Sequence, residues 1–146
     1  MGSRPLRVRI YTDGGARGNP GPAAAGYVLV DADDDRTLLE AGHFLGRATN
    51  NVAEYRAIIA ALEAAARLGA VQADVLSDSE LIVRQMNGQY RVKNAGLKPL
   101  HERVRRLEKG FDRVAYAHVR RESNTRADRL VNRAIDRGGD VCDADD

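Results

Sequence analysis

The stretch that most constrains this chain is Tyr11-Thr-Asp-Gly-Gly-Ala-Arg-Gly-Asn-Pro-Gly-Pro22. An apolar, alternating run from Leu6 to Thr12 reads as a half-buried strand, and it leads straight into Asp13. Four glycines and two prolines follow within the next nine residues. Glycine takes up backbone angles that other residues resist, and proline has no amide to give to a ladder, so the strand is expected to end in a turn there. One carboxylate is thereby held at a strand end, beside a backbone that a bulky ligand can approach. A single acid before a turn is ordinarily turn chemistry. The question is whether other acids reach the same place.

The rest of the chain supplies the elements that decide this. Ala23 to Asp31 and Thr37 to Leu45 read as strands around a turn at Asp31-Ala-Asp-Asp-Asp35, giving an antiparallel meander with the first strand. Asn50 to Leu68 has helical spacing in Val52, Tyr55, Ile58, Ile59 and Leu62, with Thr49, Asn50 or Asn51 as cap and Gly69 as stop. Ala73 to Ser77 is a short strand, followed by a helix from Ser77 or Asp78 to near Gly88 and a loop over residues 89–96. Lys98 to Lys109 is helical, Arg113 to Val119 is a strand, and Asn124 to Arg137 is the last helix. The order β-β-β-α-β-α-α-β-α predicts an α/β domain with a mixed sheet and helices on its faces. Strands four and five, reached through helices, should run parallel to the first.

Three more acids fall where this topology can bring them to Asp13. Asp78 directly follows strand four in Leu76-Ser-Asp-Ser-Glu80. Glu54 lies in the first turn of the first helix. Asp128 lies in the first turn of the last, in Arg121-Glu-Ser-Asn-Thr-Arg-Ala-Asp128. Each has an ordinary explanation: Asn51-x-x-Glu54 and Ser77-x-x-Glu80 have the form of capping boxes, and Asp78 and Asp128 suit helix starts. Together they need more, because crowded like charges raise pKa and cost stability unless a cation neutralises them. Magnesium, a hard cation with oxygen ligands, suits such a cluster, and two such ions can activate a water and steady a leaving oxygen in phosphodiester hydrolysis.

At these motifs the chain resembles type 1 ribonuclease H. The resemblance runs from about Val8 to Gly138. It rests on the glycine stretch together with Thr49-Asn-Asn-Val-Ala-Glu-Tyr55, Leu76-Ser-Asp-Ser79 and Arg121-Glu-Ser-Asn-Thr-Arg-Ala-Asp128, in order. It implies a ribonuclease H-like fold, with a five-stranded sheet in the order 3-2-1-4-5 and strand 2 antiparallel. It also implies metal-dependent cleavage of the RNA strand of RNA–DNA hybrids to 3′-hydroxyl and 5′-phosphate ends, with activity on double-stranded RNA left open. Asp13, Glu54, Asp78 and Asp128 would bind two Mg2+ ions, for which Mn2+ can substitute. Asp13 would be shared, Glu54 and Asp78 would complete one site, and Asp128 the other.

By the same resemblance Gly14, Asn19, Asn51 and Glu80 would face the minor groove, where the 2′-hydroxyl marks the RNA strand. Arg47, Thr49 and Asn94 would hold phosphate of the DNA strand. His118 stands where relatives carry a mobile catalytic histidine, although Val114-Ala-Tyr-Ala-His-Val119 reads as strand, and Arg121 and Glu122 are the alternatives on the loop. A non-catalytic binding module on this fold would have no use for clustered negative charge.

Charge and composition are compatible with this. The net charge is +2, but Asp140 to Asp146 hold four Asp and no base, so the body is more basic than the total, and arginine suits phosphate. No apolar run approaches the ~18 residues of a membrane span. With one cysteine, Cys142, and no basic-then-apolar leader, the residues fit a reducing, cytoplasmic setting. The expected organisation is a disordered start over residues 1–5, one domain over 6–138, and a disordered acidic tail over 139–146. The expected assembly is a monomer without membrane contact. Within the family the chain resembles the ribonuclease H domain that opens two-domain actinobacterial proteins, so two expectations stay open: a free-standing chain, or a piece of a longer protein with a C-terminal phosphatase-like domain.

Overall fold

The computed structural model describes residues 4–142. Three strands form the meander: β1 (Leu6–Ala16), β2 (Gly21–Asp31) and β3 (Thr37–Ala48). They are followed by α1 (Asn50–Arg67), β4 (Ala70–Ser77), α2 (Glu80–Met86), α3 (Lys98–Glu108), β5 (Arg113–His118), α4 (Thr125–Arg137) and a two-residue β6 (Val141–Cys142). The sheet order is β5-β4-β1-β2-β3-β6. β2 runs antiparallel to β1 and β3, and β4 and β5 run parallel to β1. The mixed α/β sheet and the order of its first five strands are as expected.

The sheet is covered on both faces, which is why β2 is buried almost from end to end. Its alternate residues serve two cores. Tyr27 and Leu29 join Val8, Ile10, Tyr55, Ile58 and Leu62 on the α1 side, and Ala24, Val28 and Val30 join Leu130, Val131 and Ala134 of α4 on the other. Ala53, Ala57, Ala61, Ala64 and Ala65 are buried along α1, and their small side chains let the helix lie close to the strands. α3 packs against α1 and buries Val104.

The structure corrects four expectations. β1 does not stop at Asp13: Asp13, Gly14, Gly15 and Ala16 continue the ladder opposite Gly26, Ala25, Ala24 and Ala23. The turn is only residues 17–20. Small residues on both strands make this possible, since two helices need the space that side chains would fill. The sheet has six strands rather than five. Of the tail expected to be disordered, Val141–Cys142 forms β6 against Ala41 and Gly42 of β3, and the Asp140 carboxylate accepts the Phe44 amide at 2.9 Å. Val141 is buried with Val30 and Leu130, and that apolar contact anchors a segment whose composition is otherwise acidic. Residues 143–146 of that tail, and 1–3 of the start, lie outside the described residues. Finally, α1 is capped by the Thr49 hydroxyl, which accepts the Val52 amide at 3.2 Å, and α2 by Ser79. Neither Asn51-x-x-Glu54 nor Ser77-x-x-Glu80 is a capping box.

Glycine sets how closely α4 approaches. Gly26 of β2 lies opposite Asp13 on one side and Gly42 of β3 on the other. A Cβ at Gly26 would stand 2.8 Å from the Ala127 carbonyl oxygen, and one at Gly42 would stand 2.5 Å from that of Leu130. Gly42→Ala should therefore push α4 and β6 outward and destabilise the fold by about 1–3 kcal/mol, the usual cost of overpacking. The expected result is a lower urea midpoint at unchanged slope.

Candidate active site at the end of the parallel strands

The site exists because neighbouring strands differ in length. The parallel β1–β4 ladder ends at Thr12 and Ser77, while β1 runs on against β2 as far as Ala16. Asp13, still paired with Gly26 of β2, and Asp78, the first residue after β4, therefore stand side by side where that ladder ends. In an open α/β sheet this carboxyl edge is where ligands bind.

Glu54 is brought in by Gly14. A Cβ on Gly14 would lie 2.2 Å from the carbonyl carbon of Ala53 and 2.4 Å from the Glu54 amide nitrogen. Only a glycine lets β1 touch the first turn of α1 this closely. A second tie fixes the same helix end: Asn50 Oδ1 accepts the Ala16 amide at 2.8 Å, and Asn19 Oδ1 accepts the Asn50 amide at 2.9 Å. One oxygen each from Asp13, Glu54 and Asp78 then lie within 4.8 Å of one another. Asp128, in the first turn of α4, is close enough for its charge and a hydrogen bond to act on Asp13. All four expected acids thus line one cleft of about 440 Å3, with Asn51, Ser79 and Arg121 among its other walls.

The cluster is electrostatically uncomfortable as it stands. Burial first, then the charges of Asp78 and Asp128, push the Asp13 carboxyl up to about 8. Burial, then Asp13 and Asp78, hold the Glu54 carboxyl well above the usual carboxylate range. The Gly14 backbone amide opposes both shifts. Glu54 Oε1 is buried and has no hydrogen-bond partner among the described residues. Oxygen donors that are crowded, buried and short of partners fit a hard divalent cation. An ordinary structural role would have given them donors.

The remaining expected residues sit as follows. Asn51 lines the cleft beside Glu54. Glu80 is exposed one helical step beyond Asp78 and is paired with Arg84 at 2.8 Å. Arg47 is exposed near the end of β3. Thr49 spends its hydroxyl on capping α1. Asn94 is exposed and turns the loop before α3, its Oδ1 accepting the Gly96 amide at 2.7 Å. Gly14 contributes backbone to the cleft, but the space where a side chain would be is filled by α1, so close helix packing is what requires a glycine there. His118 ends β5 opposite Ser77, with Nε2 3.3 Å from the Asp78 carbonyl oxygen. It is exposed and borders the cluster, whereas Arg121 lines the cleft. Sequence reasoning passed over Asn50 and Asn132 as site-builders; Asn132 Nδ2 donates to the Asp128 carbonyl at 3.1 Å. No local pattern distinguishes them from ordinary helix asparagines.

Comparison with known proteins gives a consistent picture. A reverse transcriptase-like family matches residues 11–134. The bifunctional protein Rv2228c of Mycobacterium tuberculosis is 48% identical over 96% of this chain and 38% of that protein, so the chain spans well under half of that relative. Ribonuclease HI of Halobacterium salinarum is 48% identical over 89% of this chain and 65% of the relative. The crystal structure of RNase H1 from that archaeon superposes with a TM-score of 0.86, covering 89% of this chain and 98% of the other. LC11-RNase H1, solved in complex with RNA/DNA hybrid, is 46% identical with a TM-score of 0.85, covering 90% and 98%.

The raised carboxyl of Asp13 has a consequence for stability without metal. In the unfolded chain it ionises near 3.8, whereas in the folded chain it keeps its proton up to about 8. The stabilisation this proton preference gives is complete below pH 3.8 and is lost as pH rises towards 8. In chelator, Asp13→Asn should match the native protein at pH 4 and exceed its melting temperature at pH 8 by on the order of 5 °C. Calorimetric scans of both proteins across that range check the sign, and parallel curves would refute it.

Proposed function

The chain belongs to the ribonuclease H family, and on that footing we propose that it is an endonuclease that hydrolyses the RNA strand of RNA–DNA hybrids, leaving 3′-hydroxyl and 5′-phosphate ends. The observation that carries this reading is the meeting of Asp13, Glu54 and Asp78 within 4.8 Å at the carboxyl edge of the parallel strands, with Asp128 facing them. The substrate class is supported by the hybrid-bound structure of LC11-RNase H1, which the chain covers almost completely.

We assign the metal as Mg2+, two ions, with Mn2+ as a substitute, held by Asp13, Glu54, Asp78 and Asp128. Held by these four carboxylates, such ions would supply an activated water and offset charge on the leaving oxygen of the phosphodiester. The chain's own part is to present four carboxylates from four different elements on a rigid edge. Asp13 meets Glu54 and Asp78 and also feels the charge and hydrogen bond of Asp128, which suits it to be the shared ligand. Arg121, on the cleft wall, is suited to hold the scissile phosphate in place, since a guanidinium matches phosphate oxygens with paired donors. His118, exposed with Nε2 3.3 Å from the Asp78 carbonyl oxygen, is our candidate for proton transfer to the leaving oxygen.

Discrimination between strands belongs, in this reading, to Asn19, Asn51 and Glu80 at the minor groove, where only RNA offers a 2′-hydroxyl. The backbone of Gly14 lies beside them, and Arg47, Thr49 and Asn94 take phosphate of the DNA strand. We place the protein in the cytoplasm as a monomer; no helix among the described residues is long and apolar enough to cross a membrane. A C-terminal companion domain, phosphatase-like in kind, is part of the proposal because Rv2228c extends far beyond the matched region.

The test is cleavage of labelled hybrid, double-stranded RNA and duplex DNA, each with Mg2+ and with Mn2+. The native protein should cut the RNA of the hybrid. Asp13→Asn should lower that rate by on the order of a thousandfold while hybrid binding in chelator changes only a few-fold. Undiminished cleavage by the variant, or equal cutting of duplex DNA, would sink the assignment.

A further inference from the structure

Asn124 precedes α4 and looks, from sequence, like an ordinary helix cap. It is not used as one: its side chain accepts no amide from the first turn of α4. Instead it is buried to 1% exposure between that helix and the sheet. Its Nδ2 donates to the Thr12 carbonyl at 2.9 Å and lies 3.4 Å from Asp78 Oδ2. Its own backbone carbonyl accepts the Asp128 amide at 3.1 Å. Its Oδ1 is buried and finds no partner among the described residues. A buried amide that leaves its acceptor unsatisfied is costly, and a residue chosen only for packing or capping would avoid that cost.

We infer that Asn124 is a positioning residue for the carboxylate cluster, holding Asp78 and Asp128 in register with the strand that carries Asp13. The three contacts run to three different elements. Thr12 is the residue before Asp13 and is itself locked to β4, its hydroxyl donating to the Leu76 carbonyl at 3.0 Å. Asp78 is the first residue after β4, and Asp128 is in the first turn of α4. One amide group therefore spans the gap between the ends of β1 and β4, and the same residue's carbonyl fixes where α4 starts. A hydrogen bond to Asp78 Oδ2 also leaves its other oxygen uncommitted to Asn124. Partners of this kind orient ligating carboxylates, and their loss typically weakens metal binding by about 10–100-fold. This role rests on reading the four acids as a metal site, but it makes a separate claim about which residue holds them.

The experiment measures Mn2+ affinity by calorimetry on protein without nucleic acid, beside hybrid affinity in chelator and the urea midpoint. Asn124→Leu keeps the approximate shape and removes the donor; Asn124→Ser is the second variant should the first not fold. Each should weaken Mn2+ binding about tenfold or more while hybrid affinity in chelator stays within about twofold. On an Asp78→Asn background, the Asn124 change should cost less than about twofold further, because the two residues act as a unit. Native Mn2+ affinity in a folded variant, or losses that simply add, would overturn the inference. Should the native protein bind Mn2+ yet leave hybrid intact, the nuclease reading falls, while the affinity comparison still decides the role of Asn124.

Discussion

The contact between Gly14 and the first turn of α1 is the constraint from which the rest of the site follows. A strand and a helix ordinarily keep a side chain's distance. Here a missing Cβ removes that distance, since one would lie 2.2 Å from the Ala53 carbonyl carbon. Glu54 is thereby forced into the neighbourhood of Asp13, and both are buried. Burial is the largest cause of the raised Glu54 carboxyl pKa, ahead of the charges of Asp13 and Asp78, so this close approach is what makes the site electrostatically strained. The asparagine ties from Asn50 to Ala16 and from Asn19 to Asn50 then stop the helix end from drifting along the strand. The opposite face repeats the device, with Gly26 and Gly42 admitting α4. The acids are crowded because glycine on both faces lets α1 close in on β1 and α4 on β2 and β3.

That crowding sets folding against function. A buried carboxyl lacking a partner, as at Glu54 Oε1, weakens the bare fold. The loss is tolerable because the two cores are otherwise well filled: Ile10, Leu29, Tyr55, Ile58 and Leu62 on one side and Val28, Leu130 and Ala134 on the other are almost inaccessible to solvent. The surplus from those cores is what allows an unstable arrangement of charge to persist at the edge.

Much of this was legible in the residues, for identifiable reasons. Long elements with a strong period, such as α1 with Tyr55, Ile58 and Leu62, announce themselves, and so does the alternation of strands and helices that makes β4 and β5 parallel to β1. The four acids were legible because each lies within a few residues of an element end, where topology largely decides the neighbours; Glu54, read as part of the first turn, in fact lies just beyond it as the fifth residue of α1. What escaped was whatever depends on distance between elements. Gly14 and Gly15 look like turn residues because glycine signals a bend locally; that they continue a strand, and that Gly14 makes room for α1, are tertiary facts. Asp140 and Val141 were hidden by their acidic surroundings, since one buried valine carries no period. Asn124 was read only as the first residue of the last helix, because its partners are 46 and 112 residues away in the chain and leave no local signal.

The short sixth strand has a consequence of a different kind. β3 is twelve residues long and would otherwise present its whole outer ladder to solution, an invitation for another chain's strand to add. Pairing at Ala41 and Gly42 interrupts that ladder at its middle, and Asp140 takes up the Phe44 amide just beyond. A hostile strand would find only broken stretches, with a carboxylate standing beside them. At the far edge, β5 is guarded by its own short length and by Arg113. Among the described residues, both outer strands thus offer an incoming strand only short stretches of free ladder.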